Sequence, residues 1–461
     1  MDKTTEQLVH YTTQFSAADL AEAAMNRATD LLFDTVACAV AGCASEPASI
    51  AAKIAQNARA VVGATLFAYG SKTSPEIAAL ANTMMVRTYD YNDAYFGHPS
   101  DMIAGVLAAG EVARSSGVEV LTSIALAYEV YAAFARSGPH HLDSWLDQGA
   151  FMNVGVALAA GKLWRLTENQ LANAASLALV PNLPLSVSRW GALSMMKGCA
   201  TAFSVRNGIF AAMLAKEGFT SAPEPYEGIF GLHHVFGPFE LCLPVNADGP
   251  RVVEMSYVKP IPAENNTIGI LELAPTIREW TPINEIDFIE IEIATGLEIH
   301  LADESKYEPK TRESADHSLP YMLARALVDG EITLDSYTPE RIADASIRPL
   351  MRKIRVRGSD ELKALMRASR GPEAKPARIR VRTTGGREFA REILGHSGHP
   401  NTLGTARREI LNHKLDLCAR HAGLRDEQRE RIREAWWAVP AAANIGDAIK
   451  TLVSLRRGAA E

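Results

Sequence analysis

The stretch EIDFIEIEIATGLEI, Glu285 to Ile299, sets isoleucine against glutamate at every second position from Ile289 to Ile293. A period of two sends alternate side chains to opposite faces, so the pattern predicts a half-buried strand. The chain before it reads otherwise. From about Ala17 to Ala215 it is helix after helix: AADLAEAAMNRATDLLFDTVACAVAG, MIAGVLAAGEVARSSG, VLTSIALAYEVYAAFARSG and VGVALAAGKLWRLTENQLANAASLAL carry apolar residues at helical spacing. These helices are rich in Ala and Gly on nearly every face, and a helix apolar all round is buried by its neighbours. After the strand, RKIRVRG and ARIRVRTTGGREFAREIL alternate again, the second around a Gly-Gly turn, while HSLPYMLARALVDG returns to helical spacing. Beyond GHSGHP the chain resumes helices in TARREILNHKLDLCARHAG, DEQRERIREAWWAV and NIGDAIKTLVSL. The fold class expected is therefore mainly α. Residues 1–268 and 398–461 form a large all-helical domain, and residues 269–397 an inserted α+β domain.

At 461 residues the chain is too long for one ordinary core. Its 47% hydrophobic and 22% charged residues are the balance of a globular protein. A net charge of −7 argues against a nucleic-acid surface, yet leaves room for a small anion held by a few local cations. The N-terminus lacks a basic start followed by an apolar run, and the apolar runs, such as FMNVGVALAAGKLW, read as too short and interrupted to span a bilayer. A cytoplasmic protein without a membrane partner is expected. The five cysteines, Cys38, Cys43, Cys199, Cys242 and Cys418, have no C-x-x-C pair and are expected as buried thiols, with no cluster or other cofactor.

RTYDYNDAYFGHPSDM, Arg87 to Met102, crowds two kinds of chemistry into a loop between helices. Turn formation accounts for Asn92 and Asp93 and partly for Asp101, since such side chains bond their own backbone. It does not account for His98, set at the mouth of a helix and able to carry protons near neutrality. Lys197 opens a helix of small and apolar residues, where an ammonium must reach solvent, pair, or bind a ligand, and Arg189 lies in the preceding loop. YVKPIPAENNT brings Lys259 and Glu264 near the expected domain junction, although an ordinary linker has the same appearance. YEPKTRESADHSLPYM gathers Lys310, Arg312, His317 and Tyr321 before a helix that Ser314 or Asp316 is placed to cap. His140, His141, His233, His234, His396 and His399 have no carboxylate or thiol partner at a metal-like offset and read as surface histidines, and no metal site is expected.

Four of these segments, YDYNDAYFGHPSD, GALSMMKGCATAFSVRNGIFAAMLAKEG, VKPIPAE and KTRESADHSLPYMLARALVDGEIT, resemble in order those of the MmgE/PrpD family, and the layout agrees nearly end to end. That family includes 2-methylcitrate dehydratase, cis-aconitate decarboxylase and iminodisuccinate epimerase. The resemblance implies a helical domain with an inserted α+β lid, a homodimer, and a site between the domains that works without metal or cluster. It implies that Asp90 and His98 are the acidic and histidine site residues, that Lys197 and Lys259 contact substrate, and that Tyr321 is the tyrosine of an H-S-x-x-Y segment. Glu264 stands where the decarboxylase branch has histidine, as in the dehydratase branch, which GHPSD also resembles. Asn265 and Asn266 occupy the place where dehydratases often carry a further histidine, and the histidine that decarboxylases carry near LDQGAFMN is absent.

The chemistry implied is dehydration of a 2-methylcitrate-like tricarboxylate. It needs a base for a weakly acidic C–H, an acid for the departing hydroxyl, and cations to neutralise the developing charge. Lys197, Lys259 and Arg189 are expected to bind the carboxylates, His98 to move the proton, Asp90 to hold its tautomer or raise its basicity, and Tyr321 to protonate the leaving oxygen. Which of His98 and Tyr321 is base and which acid stays open. The same parts serve an epimerase of an imino- or amino-dicarboxylate, ranked second, and a decarboxylase, ranked third. A non-catalytic scaffold with this fold is expected to have lost His98 or Lys197, and both are present.

Overall fold

The computed structural model describes residues 1–137, 145–190, 193–244, 251–369, 374–453 and 455. It divides into two units, one of Met1–Gly191, Met195–Ser256 and Leu411–Glu461, the other of Ala192–Ser194 and Tyr257–Ile410. The insertion is thus wider at both ends than residues 269–397. The extended Pro-rich segment that reads as a linker pairs inside the second unit, where the Val258 N–H donates to the Gly398 carbonyl at 3.0 Å and Ala263 and Ile268 join the core.

The first unit is built on α1 (Lys3–Gln14), α2 (Glu22–Gly42), α3 (Glu46–Asn57), α4 (Pro75–Arg87), α5 (Ile103–Ala113), α6 (Gly117–Arg136), α7 (Met152–Leu163), α8 (Glu168–Leu179) and α9 (Met195–Lys216). Small residues let these helices touch along their backbones. A Cβ on Gly42 would lie 1.9 Å from the Met85 carbonyl oxygen, and one on Gly208 would lie 2.4 Å from that of Asn153. Ser116 and Glu119 form a capping box that starts α6. Contrary to the expectation that the apolar runs are too short, this helix is long and apolar enough to cross a membrane by length and composition, and 89% of its apolar window is buried within the protein. The unit is not purely helical. An antiparallel ribbon joins β1 (Arg59–Thr65) to β2 (Lys72–Thr73), turning through Gly70 at φ +73°. Cys38, Cys43, Cys199 and Cys418 are buried thiols as expected, but Cys242 is exposed.

The second unit holds β3 (Ile286–Ala294), α10 (Leu319–Asp329), β4 (Ile354–Ser359), α11 (Asp360–Ala368), β5 (Ala377–Thr383) and β6 (Glu388–Ile393). The sheet order is β4-β3-β5-β6, with β3 and β4 parallel and the other pairs antiparallel. The period of two is realised as expected. Ile289, Ile291, Ile293, Ile379 and Val381 enter the core. Register sets Glu290 opposite Arg355 and Arg380, and Glu292 opposite Arg357 and Arg378, on the outer face. Two later helices, α12 (Arg407–His421) and α13 (Asp426–Trp437), return the chain to the first unit from Leu411 onward.

Candidate active site

The loop after α4 begins with a reversal that few residues permit. Asp90 adopts φ +51°, the left-handed region, and its N–H bonds the Arg87 carbonyl at 3.0 Å. Aspartate enters that region more readily than bulkier residues, and outliers of this kind cluster at functional sites. The turn carries the Asp90 carboxylate back onto the Arg87 guanidinium, and the pair is buried. The same carboxylate lies 3.2 Å from His98 Nε2 and 3.4 Å from Lys197 Nζ. Arg87 also faces Asp101 at 3.5 Å. One carboxylate therefore gathers a guanidinium, an imidazole and an ammonium, all buried.

His98 is held from its other nitrogen. Nδ1 lies 2.5 Å from the Asp93 carbonyl oxygen, which only accepts, so Nδ1 carries hydrogen. Of the two roles expected of Asp90, holding the tautomer falls instead to the Asp93 backbone, while Asp90 meets Nε2, where a carboxylate favours the protonated ring. Asn92 and Asp93 brace the loop. Asp93 accepts from the Ser100 N–H at 3.0 Å and the Tyr128 hydroxyl at 2.8 Å, while Asn92 Nδ2 donates to Ser100 Oγ at 2.7 Å and Asp101 Oδ1 at 2.8 Å. Burial raises the Asp93 carboxyl to about 6, against the lowering effect of these bonds. It raises Asp101 to about 7, against the Arg87 charge and bonds from Thr201 and Asn92.

Lys197, in the first turn of α9, does not point to solvent but into this cluster. Arg189 is next to it: its Nη1 donates to the Lys197 carbonyl at 3.3 Å, and its charge is taken by Asp147 at 2.7 Å. Burial pushes the Asp147 carboxyl up, but Arg189 and bonds from Gly149 and Ser188 outweigh it and hold the group below its ordinary range. With its amide oxygen turned to the two guanidiniums, Gln148 accepts from Arg87 at 3.2 Å and Arg189 at 2.9 Å. Arg87, Asp147 and Gln148 were not singled out by sequence reasoning. The available signal was an arginine closing an apolar, alanine-rich helix, where an unpaired charge is costly.

The second unit holds the remaining candidates. Lys259 is buried, as are His396 and His399, so those two are not surface histidines. The Gly398 N–H donates to His396 Nδ1 at 3.1 Å, leaving Nε2–H for Asn265 Oδ1 at 3.0 Å. Burial, reinforced by His399, Lys375 and Lys259, pushes His396 down to about 3. Glu264 accepts from the Asn266 backbone and side-chain N–H groups at 2.8 and 2.7 Å. Tyr321 is wholly buried, and its hydroxyl donates to the Ser336 carbonyl at 2.6 Å. Burial raises it to about 12. That placement does not support its expected role, since the O–H is spent on the backbone. The cap of α10 is Ser318, not Ser314 or Asp316; buried Asp316 instead joins Arg312 at 3.0 Å to His317 Nδ1 at 2.6 Å. His140 and His141 lie outside the described residues. Among the described residues no group of three or more His, Cys, Asp or Glu side chains is arranged to hold a metal ion.

Comparison with known proteins matches residues 6–240 to the MmgE/PrpD N-terminal domain and residues 262–438 to the MmgE/PrpD C-terminal domain. The chain is 21% identical over 395 residues to cis-aconitate decarboxylase of Aspergillus terreus, covering 77% of this chain and 79% of that one. It is 26% identical over 307 residues to 2-methylcitrate dehydratase of Escherichia coli K12, covering 61% and 62%. A similar match, 26% over 294 residues, is to the mitochondrial 2-methylcitrate dehydratase of Yarrowia lipolytica, covering 59% and 56%. With both domains matched in order across most of its length, the chain belongs to the MmgE/PrpD family.

Proposed function

We propose that this protein is a lyase acting on a small polycarboxylate by acid/base catalysis, and that its reaction is dehydration of a 2-methylcitrate-like tricarboxylate. The observation that carries this reading is the sharing of the Asp90 carboxylate among Arg87, His98 Nε2 and Lys197. Arg87 and Lys197 are fixed cations. Facing them are Asp90 and Asp101, and near neutrality Asp101 is largely balanced between its two forms. Two cations held in place this way suit a polyanion and stabilise the charge that develops when a proton leaves carbon beside a carboxylate. His98 is the proton carrier: Nδ1 is committed to backbone, so the proton moves at Nε2. Asp90 stabilises the ring when it is charged.

Decarboxylation of a cis-aconitate-like acid is the second reading, favoured by the longer match to the decarboxylase of Aspergillus terreus. The sequence resemblance of Glu264 to the dehydratase branch weighs against it. The working form is proposed to be a homodimer. Met196, Phe203 and Phe210 recur every seven residues on α9 and are 44%, 42% and 41% exposed, an apolar stripe that a second copy would cover.

The test incubates the purified protein with 2-methylcitrate, citrate, cis-aconitate and iminodisuccinate, followed by ultraviolet absorbance and by NMR in heavy water. Formation of an enediacid from 2-methylcitrate supports dehydration. Release of carbon dioxide from cis-aconitate moves the assignment to decarboxylase, and deuterium uptake without a new double bond moves it to epimerase. Absence of turnover on all four overturns the reading.

A further inference from the structure

One buried charge in the first unit has no part in the chemistry above. Lys414, on α12, is 1% exposed, and its Nζ lies 2.6 Å from Asp34 Oδ1, itself wholly buried on α2. The same Nζ donates to the Tyr91 carbonyl at 2.5 Å and stands 4.0 Å from the centre of the Tyr91 ring. Tyr91 is the residue after left-handed Asp90. Two turns further along α12, His421 reaches the residue before it: Nε2 lies 3.1 Å from the Tyr89 hydroxyl, with the rings edge to face at 5.2 Å. One helix thus grips both neighbours of the carboxylate that gathers Arg87, His98 and Lys197.

A buried ion pair is a poor device for stability alone, because desolvation consumes most of the attraction and an apolar pair of similar volume does as well. What it supplies is direction. An ammonium with three donors can be tied to Asp34 and still fix one carbonyl in the loop. We propose that Lys414, with Asp34 as counter-ion, is a positioning residue of the active site. By holding the Tyr91 carbonyl it keeps Asp90 in its left-handed turn and its carboxylate on His98 Nε2 and Lys197. This rests on reading that cluster as the acid/base site. The nearby Cys38 and Cys418 thiols are pushed up by burial and stay neutral, so they offer no competing charge.

The test is the double variant Lys414→Met/Asp34→Leu, which removes the pair without stranding either charge. In protein labelled with 15N-histidine, the His98 imidazole signals are assigned by their loss in His98→Gln and compared between the double variant and wild type. The expected result is a folded protein whose His98 signals move, whose kcat on the substrate found active falls about 10- to 100-fold, as misplacement by an ångström does, and whose KM changes much less. A folded double variant with wild-type His98 signals and wild-type kcat overturns the proposal. Should none of the four acids be turned over, the NMR comparison still decides the positioning, so the two readings fail separately. Should the double variant not fold, Lys414→Met/Asp34→Asn carries the test, since it also removes both charges while keeping a polar group at position 34. The same readouts apply: displaced His98 signals in the folded protein support the proposal, and wild-type signals overturn it.

Discussion

His98 has one nitrogen fixed to a backbone carbonyl and one facing a carboxylate, so the proton it can exchange has a single address. Replacing it with alanine is expected to lower kcat by about a hundred- to ten-thousand-fold while the circular dichroism spectrum and melting temperature stay close to wild type; full activity in His98→Ala removes it as the proton carrier. Asp101 makes a second prediction. Its folded carboxyl is raised from 3.8 to about 7, so between those values the folded protein keeps a proton that the unfolded chain releases. Stability from this group is fully present below pH 4 and is lost as pH rises through about 7, with a slope of up to ~1.4 kcal/mol per pH unit. Asp101→Asn, which mimics the protonated form, should flatten this part of the profile, seen as a melting-temperature difference from wild type that shifts in favour of the variant between pH 5 and pH 8. Of the candidate site, His98 and Lys197 stand out from local chemistry, a titratable ring at the mouth of a helix and an ammonium in an apolar helix, whereas Asp90 is reached only through the family resemblance. Arg87 was not legible, because its apolar helix signals only that the charge needs a partner; that the partner is Asp90 depends on a left-handed turn that no spacing announces. Tyr321 was misjudged for the same reason: whether a hydroxyl is presented or spent on a carbonyl depends on Ser336, fifteen residues away.

At the scale of elements, close helix contact depends on missing side chains. Gly42→Ala puts a methyl carbon 1.9 Å from the Met85 carbonyl, where backbone rather than a flexible side chain must yield. Destabilisation of about 1–3 kcal/mol, the cost of overpacking a core, is expected in urea unfolding; an unchanged midpoint would show that α2 and α4 are free to slide. The helices themselves were legible because their composition leaves no polar face. The strands were legible from Ile and Glu alternation, and the Arg partners of Glu290 and Glu292 confirm the outer face. Sheet order was not. The parallel pairing of β3 with β4 joins segments more than fifty residues apart, and nothing in either strand names its neighbour.

For the whole molecule, the helix–sheet–helix rhythm placed the insertion but not its edges. The segment Tyr257–Thr267 reads as a linker because of its prolines, whereas its Val258 N–H pairs with the Gly398 carbonyl and the second unit begins at Tyr257. The proposed homodimer belongs at this scale too. Phe203→Asp/Phe210→Asp is expected to elute as a monomer under light scattering where wild type elutes as a dimer; a wild-type monomer ends that proposal. The bond between Lys414 and Tyr91 spans 323 residues. During synthesis at 5–20 residues per second, roughly 16 to 65 s separate the emergence of the two partners from the ribosome. A nascent chain therefore carries this loop unfinished for that interval, and a stop falling between Lys197 and α12 would yield a chain with Arg87, Asp90, His98 and Lys197 all present but no clamp to aim them.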